Sequence, residues 1–93
     1  MRTMKMKWHG KSSYPAGNVC ACCCRPVDIN TMHYVHVING GSDVLHPDDE
    51  HLYNYAENEA SDLGYNEIGS GCAKKFKGFT VKYDRVTQKY VKA

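Results

Sequence analysis

Between Pro26 and Ala73 this sequence contains neither lysine nor arginine, although 12 basic residues occur in its 93 positions. Nine of the ten acidic residues fall in that same stretch, so a formal net charge of +2 hides a chain with basic ends and an acidic middle. Such polarity speaks to partners and association rather than to fold. Long apolar runs are missing as well: nothing approaches the roughly 20 consecutive apolar residues of a membrane-spanning helix. The opening "MRTMKMKWHGKSSYPAG" carries basic residues with no apolar run behind them, so a signal peptide is not expected. Catalytic signatures are absent too. There is no H-E-x-x-H, no H-x-E paired with P-C-x-x-C, no glycine-rich phosphate loop and no nucleophile elbow, so the chain is expected not to be an enzyme. Ninety-three residues leave room for one small domain, whose core is modest enough to want a staple.

What the sequence does have is cysteine. Four of its five thiols crowd into "CACCC", Cys20 to Cys24, and the fifth stands apart in "GSGCAKKF" as Cys72. An odd count with four near-neighbours argues against a disulfide framework, because adjacent cysteines are poorly placed to bridge each other. In a reducing cytoplasm, the expected location, clustered thiols point to metal. Zinc takes four sulfur or imidazole ligands in a tetrahedron. Cys20 and Cys23 form a C-x-x-C knuckle, and Cys72 is a third ligand on the first turn of a helix, where amides and the helix dipole favour a thiolate. The position three residues before it, Gly69, cannot ligate, so the fourth ligand lies elsewhere. His36, central in a strand with apolar neighbours, is the expected choice, with His33, His46 and Cys22 as alternatives; His9 and His51 are less well placed. Cys24, just after the knuckle, reads as a small buried thiol.

Around these residues the elements read as follows. Tyr14 to Asn18 is a turn cluster closing a basic arm over 1–18, and 19–93 is the zinc-binding domain. Met32–Ile38 is a strand, "NGGS" supplies positive φ, and "DVLH" returns as a hairpin. Pro47 with Asp48, Asp49 and Glu50 suits a helix start. Leu52, Tyr55, Ala56, Ala60 and Leu63 at helical spacing then predict an acidic helix ending at Gly64. "YNEIG" is a short strand, Ser70 caps a short helix through Phe76, and the C-terminus forms a hairpin or extension. The expected fold is therefore α+β, a treble-clef-like domain with a hairpin, one longer acidic helix and a short helix carrying Cys72.

"CACCCRPV", "YVHVINGG" and "DLGYNEIGSGCAKKF" together resemble small domains encoded by bacteriophages and plasmids. Their pattern is C-x-x-C-G-R-P, a hairpin, then G-[SP]-x-C-A-[KR]-[KR]. Cys20, Cys23, Arg25, Pro26, Gly69, Cys72, Ala73, Lys74 and Lys75 match it across Val19 to Phe76, and Cys24 departs at the usual glycine. The resemblance implies a cytoplasmic zinc-binding accessory protein and carries no activity with it. The expected function is a non-enzymatic zinc-stabilised module that docks on a host protein, as inhibitors of host defence do. Its expected surface is Asp48, Asp49, Glu57 and Glu59. The alternative is nucleic-acid binding through Lys74, Lys75 and Lys77 with the aromatics interleaved among the basic ends.

Overall fold

The computed structural model of the chain describes residues 1–10 and 18–93, so most of the turn read at Tyr14 to Asn18 lies outside the described residues. Six strands form one curled antiparallel sheet: β1 (Thr3–Lys5), β2 (His33–Ile38), β3 (Asp43–Leu45), β4 (Gly64–Ile68), β5 (Val81–Asp84) and β6 (Lys89–Lys92). The order is β1-β3-β2-β5-β6, with β4 on the other side of β2. The segment read as a basic arm thus supplies a sheet strand, β1, hydrogen-bonded to β3 from Thr3↔Leu45 to Lys5↔Asp43.

Strand alternation makes β2 the centre of two cores. Val35 and Val37 point to one face and join Val44, Ile68, Met6, Phe76 and the cysteine segment. Tyr34, His36 and Ile38 point to the other face. There, pairing brings Leu45, Tyr65 and Val81 alongside them. The β2–β3 turn forms as its residues suggest, with positive φ at Asn39, Gly40 and Gly41. Gly41 also sits close to its neighbours: a Cβ there would stand 3.2 Å from Leu63 Cδ1, so that side chain would have to shift, and the Gly41 carbonyl accepts the Trp8 indole N–H at 2.7 Å.

The treble-clef-like α+β expectation is overturned, and the long acidic helix is where it fails. Pro47–Leu52 does begin helically, as a 3₁₀ segment whose first turn is capped by His46 Nδ1 accepting the Asp48 N–H at 3.1 Å. At Tyr53 the backbone becomes extended (φ −84°, ψ 126°), because this ring is buried with Ile38 and Leu45. A continuing helix would bury Leu52, Tyr55 and Leu63 as a stripe; all three are instead exposed. Asn54 then turns the chain, its side-chain oxygen accepting the Glu57 N–H at 3.0 Å, a local bond that competes with helix. Among the described residues α-helix is confined to α1 (Ser70–Ala73), which runs on as a 3₁₀ turn through Phe76 and has Gly69 rather than Ser70 at its N-cap position.

The acidic middle and the basic ends meet at Asp48 and Asp49. Asp49 accepts Arg2 Nε and Nη2, both at 2.9 Å, and the Arg2 backbone N–H at 2.7 Å. Those hydrogen bonds hold its carboxyl well below the usual carboxylate range. Asp48 accepts Lys92 Nζ at 3.0 Å. Among the described residues, no helix is long and apolar enough to cross a membrane.

Candidate metal centre

The cysteine segment folds as a knuckle. A bridge between Val19 and Pro26 closes it, with Cys20 N–H donating to Arg25 O at 2.9 Å and Cys24 N–H to Cys20 O at 2.8 Å. The Ala21 N–H donates to Glu67 O at 2.8 Å, pinning the knuckle to β4, whose C-terminal end leads directly into α1 and Cys72. This route brings residues about fifty positions apart together. The sulfurs of Cys20, Cys23 and Cys72 lie within 4.8 Å of one another, close enough to hold one metal ion. For comparison, with a metal–sulfur bond of about 2.3 Å, two sulfurs in a zinc tetrahedron stand about 3.8 Å apart.

Electrostatics favour a cation at this point. Burial pushes the Cys72 thiol up to about 12, and neighbouring sulfurs of Cys23 and Cys20 add to the rise. Burial acts on Cys20 in the same direction, but hydrogen bonds from the backbone at Gly69, Cys23 and Cys22 outweigh it and leave that thiol below its ordinary value. One of these is the Cys22 N–H to Cys20 Sγ contact at 3.4 Å. Three thiolates packed this closely would repel one another, and a cation held among them would offset that repulsion.

Cys24 takes the place of the usual knuckle glycine with φ 62°, so the side chain sits in the left-handed region that glycine would occupy freely, and it is buried. Cys22 is buried in the core next to Cys72 and receives Lys75 Nζ at 3.9 Å.

The histidines lie elsewhere. His36 is not part of the sulfur group: its Nε2 meets Asp62 Oδ1 at 2.9 Å, and tyrosine rings surround it. Tyr65 stacks at 4.8 Å, Tyr55 at 5.8 Å, and Tyr53 approaches edge-on at 5.4 Å. His46 caps the 3₁₀ segment and packs edge-on to Phe79, and His33 is half-buried on β2. Strand parity, which puts His36 on the face opposite Val35 and Val37, was the available signal that it turns away from the cysteine-bearing core. His36→Ala is accordingly expected to keep a full metal equivalent while costing about 2–4 kcal/mol, from the cavity and the unmatched carboxylate. Metal analysis beside a denaturant titration checks this, and loss of metal would return His36 to the ligand set.

The other singled-out residues do not form one site. Asp48 and Asp49 are engaged by Lys92 and Arg2, whereas Glu57 and Glu59 sit exposed on the turn after Asn54. Lys74, Lys75 and Lys77 are exposed, but Phe76 between them is fully buried and offers no face for stacking a base. No family model, curated protein or solved structure matches the chain, so its function is read from this geometry.

Proposed function

We propose that this protein is a small binding module stapled by one zinc ion on Cys20, Cys23 and Cys72, without catalytic activity of its own. The observation that carries the reading is the convergence of three sulfurs from two distant segments within 4.8 Å. An all-sulfur donor set selects a soft or borderline ion, and zinc is the redox-inert member of that group. The staple joins the knuckle to α1 on the face of the sheet that holds the larger core. The module then acts by docking, as the resemblance to phage and plasmid accessory domains implies, on a basic surface of a host protein in the cytoplasm. The exposed turn with Tyr55, Glu57, Glu59 and Leu63 supports that choice, since its acids have no lysine or arginine partner among the described residues. Lys74, Lys75 and Lys77 support nucleic-acid binding less well, lacking an exposed ring beside them.

Protein purified without added metal is expected to contain one zinc per chain. Stripping it with a chelator should collapse near-ultraviolet circular dichroism and NMR dispersion, both restored by zinc. A metal-free chain with an unchanged melting transition would overturn the staple.

A further inference from the structure

The three sulfurs are short of a tetrahedron by one donor, and the open side of the group is not sealed. Cys20, Cys23 and Cys72 form part of the wall of a cavity of about 500 Å³. Cys22 does not line it; that side chain lies in the core. A helix bearing C-x-x-C would present its other sulfur from position 69, and Gly69 lines the cavity instead. Its backbone does not require glycine: φ is −71° and ψ 158°, and a Cβ there would meet only Val27 Cγ1, at an ordinary 3.7 Å. The missing side chain therefore leaves space beside the metal that the fold could have filled.

Charge identifies what enters that space. A divalent ion on three thiolates carries one net negative charge. Arg25 and Lys75 line the same cavity; neither forms an ion pair with a carboxylate among the described residues, and the Lys75 ammonium stands 3.9 Å from Cys22 Sγ. Asp28 also lines it and accepts the Asn30 N–H at 2.9 Å through Oδ1. Arg25 and Lys75 together balance Asp28 and the negatively charged centre, so an anion entering there is not repelled, and a guanidinium matches an oxyanion in shape as well as charge. An open fourth position is also how zinc sites that exchange ligands differ from closed structural ones.

We infer that the metal centre keeps its fourth coordination position open toward this cavity and takes there an exogenous oxyanion, a carboxylate or phosphate group, held by Arg25 and Lys75. The inference rests on Cys20, Cys23 and Cys72 being the metal ligands.

Cobalt(II)-loaded full-length protein tests both readings separately, because its charge-transfer intensity counts thiolates and its visible bands report the fourth ligand. Inorganic phosphate and acetate, titrated separately, should give a saturable shift of the visible bands with at least one of them. Arg25→Gln combined with Lys75→Gln should raise the apparent Kd roughly tenfold. Gly69→Cys should raise charge-transfer intensity by about a third, from three sulfurs to four, and abolish the anion response. Cys22→Ser should leave the charge-transfer intensity unchanged. Cobalt binding with no response to either anion, or loss of about a quarter of the intensity in Cys22→Ser, would show the position closed by the protein and overturn the inference alone. Failure to bind cobalt at all would overturn the metal site with it.

Discussion

Cys20→Ser and Cys72→Ser are each expected to abolish the folded state at ordinary temperature, whereas Cys24→Ser should remain folded with zinc bound. The reason is one of scale. Structural zinc supplies about 10–16 kcal/mol of apparent binding free energy, and a domain's whole stability is about 5–15 kcal/mol. Removing one thiolate from a three-sulfur set forfeits most of the former, so nothing is left to offset chain entropy. The two positions also anchor opposite ends of the site, one in the knuckle and one on α1. Cys24 contributes a buried thiol in a left-handed backbone conformation and no sulfur to the group. NMR dispersion and zinc content, measured for each variant at the same pH, check the contrast. Equal collapse of Cys24→Ser would show that the wrong sulfurs have been assigned.

Phe76→Ala carries the next largest expected effect, a loss of about 3–5 kcal/mol. This ring is fully buried and is the largest side chain with so little exposure among the described residues. It shares a core with Val35, Val37, Ile68 and Cys72, so it lies where the sheet, the knuckle and α1 meet. The residues that share this core come from several segments distant in the chain, which limits how far they can collapse into the space left behind. A smaller loss comes from Lys7, whose ammonium stands 4.9 Å from the ring centroid, a contact typically worth about 0.5–1 kcal/mol at an exposed site. In a domain of this size each kcal/mol lowers Tm by about 4–8 °C, so thermal unfolding in zinc-buffered solution should register the change clearly. Bound zinc should remain at one equivalent below the transition, because the sulfurs themselves are untouched. A Tm within a few degrees of wild type would mean that Phe76 is not the keystone of this core.

Much of the local structure was legible in the residues themselves. β-branched and aromatic side chains over His33–Ile38, the glycines after Asn39, and the alternating C-terminal segment each form the strands and turns that their period and turn chemistry suggest. The approach of Cys20, Cys23 and Cys72 was legible for a related reason: thiols this concentrated have few roles besides metal in a small domain. The helix over Pro47–Leu63 was misread because its helical spacing is real but its burial is not. Periodicity marks which residues would share a face, and whether that face meets anything depends on the rest of the chain. Here the sheet offers a pocket for Tyr53 alone, and Asn54 provides the turn that follows.

The amino-acid sequence by itself determined the short-range features: the knuckle's two sulfurs, the positive-φ hairpin, a helical start at Pro47 and the charge division between ends and middle. Each depends on residues within a few positions of one another, or on composition alone. Tertiary structure decided the rest. It recruited Thr3–Lys5 into the sheet, turned His36 toward Asp62 and the tyrosines, and spent Asp48 and Asp49 on Lys92 and Arg2. It also placed Gly69 in the wall of the cavity that Cys20, Cys23 and Cys72 line. These outcomes rest on contacts between segments far apart in the chain, where a one-residue change of strand register moves every side chain to the opposite face and no local pattern can specify the partner.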